Sequence, residues 1–414
     1  MKIKEKSTEE KTIIKYLLRL RQPRIKKKEN RYYIRGYKGT EVIIRTDHEI
    51  LKRIAYRRTC VKQVCIPGRY ETETKYIYTR KENRRSRPVI VPGIPAGSET
   101  VMPRAVRTVL HALSYGGIEV EASRKLADLK KMDPMRIFYR TLDAEIYNGD
   151  YKVPIRLFFP TEEDMENGAA SGKKPPVILF FHGGGWVTES VENYQRVCAR
   201  MAQSTGQIVA SVEYRLAPEY RFPVGLMDCY AAAKTFYTNR FLLNTDPDRI
   251  TIMGDSAGGN LAAAVCMMAR DRGEFFPKKQ ILIYPALNNC YTEESPFESV
   301  RTNGTGYLLT AEKMEDYLKL YESSPKDRQN PYFAPILAKD FRNMPDTLIL
   351  TAEFDPLRDE GEAFGGNLKA AGNNVEVHRI AGAFHGYFAL GIKFLHVQES
   401  FEYMNRFLER EEQE

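Results

Sequence analysis

The stretch Gly254-Asp255-Ser256-Ala257-Gly258-Gly259-Asn260 constrains this chain more than any other. Residues 249–253 before it form a short apolar run with the character of a buried strand. Residues 261–268 after it are rich in strong helix formers. Ser256 is therefore expected on a strand-to-helix turn, in a strained backbone conformation, with Gly254 and Gly258 leaving room for strand and helix to approach closely. Such a turn presents backbone N–H groups at a helix N-terminus, where negative charge is stabilised. This reading makes Ser256 an exposed nucleophile beside donors able to hold an oxyanion. A chance Gly/Ser-rich loop would lack the flanking strand and helix.

A serine hydroxyl attacks poorly unless a base takes its proton, and the base needs a partner that fixes its tautomer. The chain has six histidines. His48 and His111 lie early, His378 inside a strand pattern and His396 in the last helix, while His182 belongs to a glycine-rich loop. His385, in Ala383-Phe384-His385-Gly386-Tyr387, is the one placed as a base. Asp355 follows the strand candidate at 347–350 and is the expected acid, with Glu353 as the alternative. Asp359 and Glu360 open the next helix, where capping or the helix dipole accounts for them. Acyl chemistry also needs oxyanion donors. His182-Gly183-Gly184-Gly185-Trp186 follows a strong strand, and the expected donors are the N–H groups of Gly183, Gly184 and Ala257. A phosphate-cradling loop would continue into Lys-Ser/Thr, which this one does not.

From residue 176 onward, apolar runs alternate with helical patterns, as in a mostly parallel α/β sheet. Strands are expected at 177–181, 208–212, 250–253, 281–284, 347–350 and 375–380. Helices are expected near 193–204, 226–240, 257–271, 359–371 and 395–410. Residues 138–147 and 153–159 alternate like paired strands about the turn Asn148-Gly149-Asp150, and 104–133 reads as helical. Residues 288–340 interrupt the pattern and read as an insertion near the mouth of the site. The domain division expected is a basic N-terminal extension over 1–95, a linker with cap helices over 96–136, and a catalytic domain over 137–414.

Charge sets the extension apart. Residues 1–95 hold 27 Lys+Arg against 10 Asp+Glu, a balance of +17, while the remainder carries −8 of the overall +9. A helix is expected over 8–20 and a hairpin over 31–44. Basic residues interleaved with tyrosines suit contact with a polyanion, although a solvated basic domain or a flap over the catalytic part fits the same composition. Cys60 and Cys65 have no second pair nearby to complete a zinc site, so the six cysteines read as reduced thiols of a cytoplasmic protein. No apolar run is long enough to span a bilayer, and the N-terminus lacks the pattern of a signal peptide.

His182 to Gly185 together with Gly254 to Asn260 resembles the hormone-sensitive-lipase family of α/β-hydrolases, the esterases with an H-G-G-G loop. Residues 213–219 (Glu-Tyr-Arg-Leu-Ala-Pro-Glu), Phe222-Pro223 and 355–361 (Asp-Pro-Leu-Arg-Asp-Glu-Gly) carry the resemblance further, over roughly 104–414. The basic segment 1–95 lies outside it. The resemblance implies an α/β-hydrolase fold with a mostly helical cap, drawn from the segment before residue 137 and part of 190–225. It implies a serine carboxylesterase with the triad Ser256, Asp355 and His385, no metal and no organic cofactor, acting on short-chain, acetyl-like acyl esters. Trp186, Tyr214 and Asp255 are expected to line the substrate pocket, and a homo-oligomer is compatible with the family. The rival class is a small-molecule receptor on a hydrolase scaffold that has lost its histidine, which the presence of His385 argues against.

Overall fold

A computed structural model of the chain describes residues 24–28, 31–35, 41–45, 102, 104–114, 118–128, 139–167, 175–239, 245–390 and 395–409. The chain divides into two compact units, Met1–Ser98 and Glu99–Glu414. In the first, strands β1 (Arg24–Lys28), β2 (Arg31–Arg35) and β3 (Glu41–Arg45) form an antiparallel sheet in the order β1-β2-β3. The hairpin expected over 31–44 is the β2–β3 pair, with Tyr33 opposite Ile43. The helix expected over 8–20 lies outside the described residues.

The second unit opens with two helices, α1 (Arg104–Ser114) and α2 (Val120–Asp128), where the sequence suggested one helical region. Strands β4 (Thr141–Asn148) and β5 (Tyr151–Phe158) follow, antiparallel about Gly149. Then come α3 (Glu162–Asn167), β6 (Val177–Phe181), α4 (Val191–Thr205), β7 (Ile208–Val212), α5 (Val224–Thr238), β8 (Ile250–Asp255) and α6 (Ala257–Arg272). After β9 (Lys279–Ile283), the insertion contributes α7 (Glu298–Thr302) and α8 (Ala311–Tyr321). The chain ends with β10 (Asp346–Phe354), α9 (Arg358–Ala370), β11 (Val375–Phe384) and α10 (Leu395–Leu408).

Eight strands make one sheet in the order β11-β10-β9-β8-β6-β7-β5-β4. It is parallel from β11 to β7, and β5 and β4 complete it in antiparallel fashion. Both faces are covered, which is why β6 reads as an unbroken apolar run. Val177, Leu179 and Phe181 join the core containing α5, α6 and α9, while Ile178 and Phe180 join the one containing α4 and α10. Helix ends follow local chemistry. Ser190 caps α4 by accepting from Asn193 N, and left-handed Gly206 closes it.

Two expectations change. The strands β8, β10 and β11 run further than their apolar cores, to Asp255, Phe354 and Phe384, so each delivers its chain into the site without an intervening loop. Helix α4, within the 190–225 stretch assigned in part to a cap, lies against the sheet, with Cys198, Met201 and Ala202 fully buried there. The elements over the glycine-rich loop are α8, from the insertion, and α2, from the segment before residue 137. Arg124 of α2 donates to the carbonyls of Val187 and Ala217 and pairs with Glu219.

Candidate active site

The turn after β8 has the strain its sequence implies. Ser256 has φ 56° and ψ −120°, left-handed territory for a residue with a side chain, at a cost of about 1–3 kcal/mol that the surrounding structure must offset. Packing holds it there. Ser256 N donates to Ile283 O of β9, and the Ser256 carbonyl accepts from Asn260 N and Ala286 N. The two glycines are required by contact distance. A Cβ on Gly254 would sit 2.1 Å from the Gly258 carbonyl oxygen, and one on Gly258 would sit 2.0 Å from that of Phe181.

Ser256, His385 and Asp355 converge from three separate strand ends. Ser256 Oγ lies 2.8 Å from His385 Nε2, and His385 Nδ1 lies 2.7 Å from Asp355 Oδ2. The other carboxylate oxygen of Asp355 accepts from Leu357 N at 2.9 Å. Asp355 is fully buried, while Ser256 and His385 each keep about 8% exposure, enough for the reacting atoms to face a substrate. Glu353, the alternative acid, accepts from Gly382 N at 2.6 Å and so braces the strand that leads to His385. Asp359 accepts from Ser299 N and pairs with Arg358.

The glycine-rich loop corrects one expectation. Gly183 N donates to Asp255 Oδ1 at 2.9 Å, so it is committed inside the protein and is not free for an oxyanion. Among the described residues, the N–H groups of Gly184, Gly185 and Ala257 have no acceptor in the protein. One residue on from the expected Gly183 and Gly184, the loop N–H groups left without a protein acceptor are thus those of Gly184 and Gly185. Both have positive φ, 109° and 61°, and a Cβ on Gly185 would lie 2.3 Å from the Tyr317 ring of α8. The Gly184 carbonyl is turned back to accept from Val187 N and Thr188 N, which closes the loop into a tight turn.

The three residues expected to line the pocket are buried supports. Asp255 accepts from Gly183 N, Tyr194 Oη and Tyr284 Oη, which ties the loop to the end of β8. Burial pushes its carboxyl above the usual carboxylate range, against the opposing hydrogen bond from Tyr194. Tyr214 stacks on His182 and donates to the His182 carbonyl at 2.7 Å. Trp186 stacks on Tyr321 with ring centroids 4.5 Å apart, next to Phe222 and Phe333.

Two supports, Tyr284 and Asn260, have no role assigned from the sequence, and a third, Glu360, has a different one. Tyr284 packs its ring 4.7 Å from that of His385. Asn260, inside the Gly254–Asn260 motif, donates to the carbonyls of Ala286 and Phe333 and joins the elbow to the insertion. Glu360 is fully buried. Its Oε1 accepts from Leu287 N, Asn288 N and Tyr291 Oη, and burial pushes its pKa up to about 8. The sequence assigns Glu360 to capping or the helix dipole, whereas its partners lie about 70 residues away. Among the described residues, no group of three or more His, Cys, Asp or Glu side chains is placed to hold a metal ion, and no helix is long and apolar enough to cross a membrane.

The sheet order, the strained serine turn and the hydrogen-bonded Ser-His-Asp arrangement define an α/β-hydrolase. The profile of proteins with the alpha/beta hydrolase fold matches residues 178–389, and the chain belongs to that family. An arylesterase of Saccharolobus solfataricus is 34% identical over 271 residues, 65% of this chain and 83% of that protein. Carboxylesterase NlhH of Mycobacterium tuberculosis is 33% identical over 278 residues, 66% of this chain and 82% of its own length. Among solved structures, a hyperthermophilic esterase from Pyrobaculum calidifontis matches 75% of this chain and 98% of its own, at 35% identity and a TM-score of 0.66. Within the α/β-hydrolases the chain is a member of the hormone-sensitive-lipase-like carboxylesterases.

Proposed function

We propose that this carboxylic ester hydrolase works through Ser256, His385 and Asp355 and prefers short acyl chains. The carrying observation is the continuous relay from Ser256 Oγ through the His385 ring to the buried Asp355 carboxylate, at 2.8 and 2.7 Å. In this reading, His385 Nε2 takes the Ser256 proton as Oγ attacks the ester carbonyl. The Asp355 carboxylate holds the Nδ1–H tautomer and stabilises the imidazolium as it forms. The tetrahedral oxyanion is received by the N–H groups of Gly184, Gly185 and Ala257, the last at the N-terminus of α6. His385 then protonates the leaving alcohol. Water attacks the acyl-enzyme by the same path, freeing the acid and restoring Ser256.

The preference for short acyl chains finds support in a relative named ethyl acetate hydrolase from Pseudomonas putida, 34% identical over 242 residues. p-Nitrophenyl esters from acetyl through dodecanoyl test it, with kcat/KM expected to peak at acetyl to butyryl. An organophosphate should add a single mass to the peptide containing Ser256, and Ser256→Ala should lose both labelling and turnover. A loss of kcat on the order of 10⁶ is expected. A variant keeping more than about a thousandth of wild-type kcat would remove Ser256 from its role.

We also propose that residues 1–95 contact a polyanion. Their +17 balance is matched by strand register: Arg24, Lys26 and Lys28 stand opposite Arg35, Tyr33 and Arg31, and these stand opposite Glu41, Ile43 and Arg45. Cationic positions therefore recur along one set of the period-2 alternation.

A further inference from the structure

The loop carrying Asp355 is gripped by a short piece of the insertion rather than by the sheet alone. Asn303, the residue that ends α7, is buried, and its Nδ2 donates to the carbonyls of Glu353 at 3.1 Å and Asp355 at 3.3 Å. Ser299, one turn earlier and fully buried, donates through Oγ to the Pro356 carbonyl at 2.8 Å. Its backbone N–H donates to Asp359 Oδ2 at 2.7 Å, and Asp359 N donates back to Ser299 Oγ. Three carbonyls of the segment 353–356 and the first turn of α9 are thus bonded to two residues, Ser299 of α7 and its cap Asn303. Beside them, Tyr307 stacks on Phe354 with centroids 5.0 Å apart. The segment 298–307 supplies no group to the Ser256-His385-Asp355 relay, yet it fixes the backbone on both sides of the acid.

We infer that α7 with Asn303 is a clamp that sets the position of Asp355, and that Asn303 and Ser299 are positioning residues for the reaction. The inference rests on the reading of Asp355 as the triad acid. The physical case is one of geometry. The Asp355 carboxylate must meet His385 Nδ1 at 2.7 Å from a loop that leaves the end of a strand, so a small rotation of that backbone breaks the contact. The two bonds from one amide span the acid from the residue two before it to the acid itself, and Ser299 holds the residue after it. A displacement of about 1 Å at a reacting group can cost on the order of a hundredfold in rate.

Asn303→Asp separates positioning from packing, because it keeps the side-chain shape and replaces the donating amide with acceptors facing two carbonyls. The expected result, in the full chain on p-nitrophenyl butyrate, is a fall in kcat of about 10–100-fold with KM little changed. Combined with Asp355→Asn, it should add almost nothing to the loss from Asp355→Asn alone, since both act through the same contact. Wild-type kcat in Asn303→Asp, or losses that multiply in the double variant, would overturn the clamp. If Asn303→Asp does not fold, Ser299→Ala decides by the same two readouts, with a smaller fall expected and an unchanged kcat counting against the clamp. A fully active Asp355→Asn would instead sink the acid assignment, which keeps the two failures distinguishable.

Discussion

At the scale of single residues, two carboxylates two positions apart have opposite duties. Asp355 is buried against His385 and Leu357 N, while Glu353 holds Gly382 N. Asp355→Asn should keep the fold and lower kcat by roughly 10⁴, since an amide favours the wrong imidazole tautomer. Glu353→Gln should act mainly on stability, within a few kcal/mol, because the bond it loses belongs to the backbone at Gly382. A steady-state comparison of the two variants checks this, and a reversed order would reassign the acid. Asp255 makes the same kind of distinction. Asp255→Ala leaves Gly183 N, Tyr194 Oη and Tyr284 Oη buried without their acceptor, at about 1–3 kcal/mol each, and should fold poorly. Asp255→Asn should fold and lose about 10–100-fold in kcat, as the oxyanion loop slackens, against the 10²–10³ typical of removing a donor outright. That Ser256, Asp355 and His385 could meet is readable from the chain because each sits in a short motif at a strand end. That Gly183 N is taken by a protein acceptor is not readable, because the Asp255 carboxylate that claims it is 72 residues away.

At the scale of elements, strand and helix positions follow from local periodicity, and the limits of that signal show where long-range contacts take over. The apolar runs marked strand centres well, and β8, β10 and β11 outran them, because small or polar residues (Gly254 and Asp255, Thr351 to Glu353, Ala381 to Ala383) break the apolar run while the chain goes on pairing to Asp255, Phe354 and Phe384. The insertion gave no period at all. Its order comes from partners elsewhere: Glu360 of α9 at one end, the carbonyls of Glu353, Asp355 and Pro356 for Asn303 and Ser299, and Trp186, which stacks on Tyr321 of α8. Glu360 gives this attachment a pH dependence. Its pKa is raised to about 8 in the folded protein from an ordinary 4.5, so the fold favours the protonated form. Its Oε1 serves three donors, while Oε2 is buried without a partner, an environment that opposes a full negative charge. The resulting contribution to stability is fully present below about pH 4.5 and is lost as pH rises through about 8, at up to roughly 1.4 kcal/mol per unit. Glu360→Gln should therefore close its gap to the wild type, or overtake it, as pH rises across that window. Thermal unfolding of both proteins from pH 5 to pH 9 measures the difference, and parallel curves would exclude Glu360 as the titrating group.

At the scale of the whole molecule, the charge imbalance and the division into two units point to separable roles. Ser256, His385, Asp355 and the proposed donors Gly184, Gly185 and Ala257 all lie in Glu99–Glu414, and the family profile matches within that unit. Its eight-stranded sheet is covered on both faces by helices of the same unit. The first unit holds most of the cationic excess, and its attraction for a polyanion would be screened over about 10 Å at 0.1 M salt. A chain starting at Glu99 should consequently fold and hydrolyse p-nitrophenyl butyrate with kcat close to that of the full chain. The full chain should bind heparin or duplex DNA with an affinity that falls steeply and log-linearly with salt, and the shortened chain should not. Equal retention of both chains on heparin would remove the polyanion role. A shortened chain that is insoluble or inactive would make residues 1–98 part of the catalytic body, and the charge opposition of +17 and −8 would then be read as an attraction within one molecule.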